Sequence, residues 1–401
     1  MDSGNVSWVL VSAVLVMFMT PGLALFYGGL DSRKNMSNMM AMNMWALLTV
    51  PILWAAIGYS LAQAPFDADW LGGFDNAFLS GISITGEDGG MGLGVLIFLA
   101  MFAVITPALI SGAVAGRMKF TAWAIFVPVW SLLVYVPVFK WIYGGWLGQR
   151  GSLDFAGGTA IHVNAGIAAL ACVLVLGKRK GFPAVDAKPH SVPFVMFGAA
   201  ILWFGWFGFN AGSALAANGT AIQAFVNTFL AGAAAGLAWI IIDLLSKKRT
   251  SNIGAAAGIV AGLVAITPGA GFVAGFSSVW IGLAAGVLCN FAVRLKPRFG
   301  YDDALDVVGI HFVAGLVGSL LIGVFANPEA FGGSFSAGLA FGGDVSLLTE
   351  QALANGVTIV YSFTVTALIM LALKKTIGVR VTGAEEAEGL DISQHAEVAY
   401  E

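Results

Sequence analysis

Two histidines carry the chemistry most open to this chain. It has 401 residues and four histidines. His190 and His395 sit among charged and polar residues. His162 and His311 sit in long apolar runs, inside Asp154-Phe-Ala-Gly-Gly-Thr-Ala-Ile-His162-Val-Asn-Ala165-Gly166 and Asp306-Val-Val-Gly-Ile-His311-Phe-Val-Ala314-Gly315. Each run reads Asp, then His, then Ala-Gly three residues after the His. Imidazole offers one donor and one acceptor, and it exchanges protons near neutral pH. One such histidine fits a helix-packing hydrogen bond; two in matching motifs favour a shared site. A metal centre needs further N, S or O ligands near the pair. The only other acid inside an apolar run is Asp243, so no metal and no cofactor is expected. No nucleophile–base pattern accompanies the histidines, which argues against an enzyme.

The elements that must position them span a membrane. Hydrophobic residues make up 58% of the chain and charged residues 10%, against about 25% charged in a soluble domain. Runs of roughly 20 apolar residues are long enough to cross a bilayer. They predict eleven spans: 7–29, 38–62, 91–116, 120–139, 155–177, 192–214, 219–245, 254–275, 277–294, 306–325 and 353–374. The boundary between the eighth and ninth rests on a Gly/Ala-rich break alone. Pro107 and Pro268 interrupt their runs and are candidates for kinks. The 53 glycines suit helices that approach closely. The N-terminal stretch lacks a basic region before its apolar run, so the first span is expected to be retained and not a cleaved signal.

Charge tests the count. Of the nineteen basic residues, seventeen fall in alternate loops and the C-terminal tail, and only Lys140 and Arg150 fall on the other side. The positive-inside rule then puts the odd-numbered loops and the C-terminus in the cytoplasm and the N-terminus outside. The loop at 63–90 is acidic through Asp67, Asp69, Asp75, Glu87 and Asp88, which fits a solvated outer loop or a weak attraction for cations. A net charge of −3 gives no reason to expect nucleic acid. Cys172 and Cys289 lie in apolar runs and read as small buried hydrophobes.

His162 lies in the fifth span and His311 in the tenth. An offset of five spans inverts direction, so the chain reads as two inverted five-helix repeats (spans 1–5 and 6–10) plus an eleventh helix. Such repeats place their sites near the midplane. The expected fold is therefore an all-α polytopic membrane protein, with an eleven-helix domain at 1–375 and a cytoplasmic tail at 376–401. Aromatic residues accompany the pair: Trp203, Trp206, Phe207 and Phe209 in the sixth span, and Phe98 with Phe102 one turn apart in the third. Such stripes fit core packing or cation–π binding with a hydrophobic gate, and the sequence leaves both open.

Four segments together resemble one family. They are Leu153–Gly166 (LDFAGGTAIHVNAG), Trp203–Ala214 (WFGWFGFNAGSA), Thr20–Leu30 (TPGLALFYGGL) and Asp306–His311 (DVVGIH). With the tail Gly389–Tyr400 (GLDISQHAEVAY), they are similar to the ammonium transporter family, which is related to methylammonium permeases and Rh proteins. The resemblance runs from Gly4 to Tyr400. It implies a pore lined by His162 and His311 and an outer gate of Phe102 and Phe209. It implies an ammonium recruitment site at Phe102, Tyr143 and Ser213, with Asp154 as its supporting acid and Asp306 as the acid of the second repeat. The family's W-G-G-G-W-L run appears here as Tyr143-Gly-Gly-Trp146-Leu, one glycine short, with a tyrosine where the recruiting tryptophan stands. The resemblance further implies a homotrimer in the lipid of the cell (inner) membrane, ammonium or ammonia as substrate with methylammonium as analogue, and a PII-type signalling protein as partner at the tail. Ammonium sensors of this kind usually append a signalling domain, and the stretch after Lys375 is too short for one. The expected mechanism is recruitment of NH4+, deprotonation, and passage of ammonia along the histidines, with the proton left outside or carried separately.

Overall fold

Apolar residues dominate so completely that the backbone must satisfy its own hydrogen bonds, and helices are the open-ended answer to that demand. The computed structural model describes residues 2–83, 91–183, 189–333 and 335–400. Among them, eleven helices are long and apolar enough to cross a membrane. They are α1 (Ser3–Leu30), α2 (Arg33–Gln63), α3 (Met91–Val114), α4 (Phe120–Gln149), α5 (Gly158–Leu176), α6 (Val192–Gly212), α7 (Gly219–Ser246), α8 (Asn252–Gly269), α9 (Ser277–Phe299), α10 (Val308–Phe325) and α11 (Ser346–Thr376). Two short tail helices follow, α12 (Gly383–Glu388) and α13 (Leu390–His395). Of the charges assigned to loops from sequence, Glu87, Asp88 and Lys188 lie outside the described residues.

Three boundaries differ most from the hydropathy reading. α4 continues past 139 because Lys140 is buried: its ammonium donates to the carbonyls of Pro65 and Phe66, both at 2.7 Å. α11 begins seven residues before 353 because Gln351 and Asn355 are satisfied inside the bundle. Gln351 donates to the Leu153 and Ser319 carbonyls, and Asn355 donates to the Ser319 hydroxyl at 2.7 Å. α8 stops at Gly269, where Pro268 closes its last turn. The break to α9 is real, and Asn227 holds it by donating to the carbonyls of Ala270 and Val273.

The helices pack in matched pairs. α1 lies along α6, the first helix of the other half, and α5 crosses α10, the last. α3 touches α1 and α5; α8 touches α6 and α10. This is the symmetry expected of inverted repeats. Glycines make the crossings close. A methyl group on Gly198 would collide with the backbone of Phe26, and one on Gly166 with the backbone of Phe312. One on Gly315 would lie 2.9 Å from the Gly158 carbonyl and 3.1 Å from Cβ of His162. The histidine helices thus meet with almost nothing between their backbones.

The tail is docked on the face that carries the basic loops. Lys119 donates its backbone N–H to the carbonyl of Val379, and Val381 donates to that of Arg117. A capping box between Thr382 and Glu385 starts α12. α13 is held by Asn35 and Asn38: Leu390 N–H donates to Oδ1 of Asn35, and Asn38 N–H to Oδ1 of Asp391 at 2.8 Å. His190 meets the hydroxyl of Tyr400 at 3.0 Å. The loops α1–α2, α3–α4 and α5–α6 therefore share one lid of chain.

If the α5–α10 crossing sets the bundle, Gly166→Val costs about 2–3 kcal/mol through overpacking against a backbone that cannot yield. The detergent-solubilised variant should melt at a clearly lower temperature. Gly356→Ala in α11 should not, since a methyl group there meets open space.

Candidate functional site

The π-turn is the local device that presents each histidine. α5 opens with one at Gly158–Val163 and α10 with one at Val308–Phe312. Such widened turns are rare and collect at functional sites. Both imidazoles end up in the middle of the bundle, 2% and 3% exposed for His162 and His311. Their rings are nearly parallel, with centroids 5.4 Å apart, and their Nδ1 atoms meet at 3.3 Å.

The neighbours fix the sense of that contact. The Tyr27 hydroxyl donates to the Leu109 carbonyl at 3.2 Å, a bond that runs only one way. Its oxygen faces Nε2 of His311 at 3.4 Å. With Tyr27's proton committed, His311 donates from Nε2 and accepts at Nδ1. His162 then donates from Nδ1, and its Nε2 carries a bare lone pair. That nitrogen is buried and has no partner in the protein. For neutral imidazoles, the chain Leu109–Tyr27–His311–His162 therefore ends in a buried acceptor without a partner in the protein.

Above the pair lies an aromatic column. Trp206 stacks on His162 with centroids 5.4 Å apart, fixed by its own N–H bond to Thr267 at 2.8 Å. Phe209 is 6.0 Å from His162, and Phe102 stacks on Phe209 at 4.2 Å and 22°. Phe98 meets Phe102 edge to face at 4.8 Å. Over Phe102 sits a cavity of about 230 Å³ lined by Phe98, Phe102, Tyr143, Phe155, Ser213 and others. Phe102, Tyr143 and Ser213, which the family resemblance groups together, line one space. The Ser213 hydroxyl donates to the Phe209 carbonyl at 2.8 Å, which leaves its oxygen lone pairs for a cation. Trp146 is not available to help. It is turned away into a cluster with Trp70 and Trp141.

Asp154 does not point into the cavity. Its carboxylate accepts from four backbone N–H groups: Gly157 and Gly158 on Oδ1, Thr159 and Ala160 on Oδ2, at 2.7–3.0 Å. Burial pushes this carboxyl up and the four donors pull it back, with burial the larger effect. The acid is the cap of the α5 π-turn, and Gly157 permits it by taking φ of +109°.

The second repeat needs a correction. Asp306 was matched to Asp154 because both precede a histidine, yet the spacing differs. Asp154 stands eight residues before His162, and eight before His311 stands Asp303. Asp303 accepts from the N–H of Val308, the first residue of the α10 π-turn, at 2.7 Å. Asp306 is half-exposed and pairs with Lys296 at 2.5 Å. Counting back from the histidine would have found this; matching the nearest Asp did not. Tyr27 was also missed as a site residue, because a tyrosine in an apolar run gives no signal until a partner 284 residues away is placed beside it.

The chemistry available here is narrow. Among the described residues no His/Cys/Asp/Glu group could hold a metal ion. Asp154→Ala should strand four buried N–H groups and cost about 3 kcal/mol, read as a fall in melting temperature. Asp154→Asn, which keeps one acceptor oxygen, should lose less.

Known proteins match this architecture closely. The model of the Ammonium Transporter Family matches residues 7–400. An ammonium transporter of Aquifex aeolicus is 49% identical, over 100% of this chain and 94% of its own. Ammonium transporter Amt1 of Archaeoglobus fulgidus is 43% identical over the whole of both chains. The crystal structure of Candida albicans Mep2 superposes with a TM-score of 0.89 at 34% identity, covering 96% of this chain and 88% of that one. A sensor Amt protein superposes at 0.90 and 28% identity, covering 98% of each. With eleven membrane helices in inverted halves and this match from end to end, the chain belongs to the ammonium transporter family and is a multi-pass membrane transporter, not an enzyme.

Proposed function

We propose that this chain recruits NH4+ in the cavity over Phe102, strips it of a proton, and conducts ammonia past Phe102 and Phe209 along His162 and His311. The observation that carries the reading is the order of groups along one line: an aromatic cavity with a free serine oxygen, a stacked phenylalanine pair, then two hydrogen-bonded imidazoles. The aromatic faces of Phe102 and Tyr143 attract a cation, and Ser213 accepts one of its hydrogen bonds. A tyrosine face is a weaker partner than the family's tryptophan, so recruitment leans more on Phe102 and Ser213. Selection against K+ follows from chemistry. Both ions are similar in size, but only NH4+ donates hydrogen bonds and loses a proton. Carrying either intact into the apolar column costs several kcal/mol; carrying ammonia does not.

The lone pair on His162 Nε2 then receives an N–H from ammonia or the proton itself. A proton taken there drives the Nδ1 proton on to His311, which then holds it as an imidazolium apart from the ammonia. The basic face lies in the cytoplasm and the cavity outside, by the positive-inside rule. His162→Ala and Phe209→Ala should each collapse methylammonium uptake by proteoliposomes; unchanged uptake in both sinks the site assignment. An ammonium jump on supported membranes should give a current in the wild type. Uptake without current would remove the proton route and leave net ammonia.

We also infer a homotrimer with one pore per chain, and a PII-type protein seated on the cytoplasmic face that the tail covers. The support is family membership and the docking of residues 379–400 across three basic loops. The native mass of the solubilised assembly should be three times that of the chain. It should rise on adding a PII protein, and that rise should be lost when residues 383–401 are deleted.

A further inference from the structure

An alkylammonium ion already sits at the inner end of the histidine line: the side chain of Lys296. Its Nζ donates to the backbone carbonyl of Asp303 at 2.9 Å and pairs with Oδ1 of Asp306 at 2.5 Å. Asp306 occupies this place by adopting a φ of +65°, which non-glycine residues rarely take, Asp and Asn more readily than most. The place adjoins the pore. Val307 and the ring of Tyr27 both crowd Gly112, where an added methyl group would lie 2.9 Å from the one and 2.7 Å from the other. Tyr27 is the residue that touches His311.

The contrast between the two repeats makes the place more than a lysine clamp. Asp154 spends both oxygens on four backbone donors. Its counterpart Asp303 receives Val308 N–H on Oδ2, and its Oδ1 is buried with no hydrogen-bond partner. Burial pushes this carboxyl up to about 6, the Lys296 charge pulls it back, and Asp306 pushes it further. One carboxylate, from Asp306, and one carbonyl, from Asp303, thus hold the ammonium group, while the Asp303 carboxylate lies beyond contact distance with an acceptor oxygen unused.

We propose that Asp303 and Asp306 form an inner ammonium-binding site, that Lys296 occupies it as a tethered competitor, and that ammonium on the cytoplasmic side binds there only by displacing the lysine. This rests on the transport reading above. The lysine offsets one of the two carboxylate charges and disfavours re-entry of ammonium from inside. A lysine is fit for this because its head is the same R–NH3+ chemistry as methylammonium on a flexible stem. Displacement costs the cell nothing covalent: one ammonium group replaces another on the same oxygens.

The test measures initial uptake of labelled methylammonium by oriented proteoliposomes preloaded with increasing unlabelled ammonium. The wild type must first transport; if it does not, the transport reading itself fails. Lys296→Met frees the site, so internal ammonium should inhibit at about tenfold lower concentration than in the wild type, a shift of about 1.4 kcal/mol. Lys296→Arg should stay within about twofold of wild type. Asp306→Asn keeps the backbone conformation and should raise the inhibitory concentration. Should Lys296→Met be inhibited at the wild-type concentration, or shift external half-saturation by the same factor, Lys296 is a structural clamp and the inner site is overturned. Lys296→Gln repeats the reading if the Met variant does not assemble.

Discussion

The 3.3 Å contact between His162 Nδ1 and His311 Nδ1 is the interaction on which the rest of the bundle depends. Two imidazoles in an apolar interior reach that distance only if their helices cross almost backbone to backbone. Gly166 and Gly315 make the crossing possible, and the π-turns at the heads of α5 and α10 aim the rings. Each π-turn then needs its own cap, because the first turns of a helix leave N–H groups without partners. Asp154 and Asp303 supply those caps. The inverted repeat is thus less a decoration than a consequence: one motif, used twice in opposite directions, brings two identical side chains to one point.

Polarity inside the bundle is spent sparingly and in chains. Tyr27 orders His311, which orders His162, and the chain ends at the buried, unpartnered Nε2 of His162. Trp206 is fixed by Thr267 and Lys140 by two carbonyls. Gln351 and Asn355 tie α11 to the start of α5 and to Ser319 in the second half of α10. Buried polar groups that are satisfied rigidify a core, and unsatisfied ones are costly. A lone acceptor left open in such a setting is therefore a natural place for a small hydrogen-bonding solute.

The two ends of the pore differ although the repeats match. The outer end offers aromatic faces and a serine oxygen in an open cavity. The inner end offers carboxylates and is filled by Lys296 of the same chain. The tail lies over the loops of that inner face, so its docking and the lysine's position share the same stretch of surface.

Hydropathy and charge alternation alone determined eleven helices and their relative directions, because the bilayer demands long apolar runs and basic residues mark one side. The matching local motifs named His162 and His311, and the family resemblance named Phe102, Phe209, Tyr143 and Ser213. Only the tertiary structure decided which of them meet. It showed that Phe102 stacks on Phe209, that Tyr27 completes the histidine chain, and that Trp146 faces away. It also replaced Asp306 with Asp303 as the partner of Asp154. The reason is physical: a cap is defined by its distance along the chain from the turn it closes, whereas a contact such as Tyr27 with His311 is defined by where two distant segments come together, and no spacing within one motif records that.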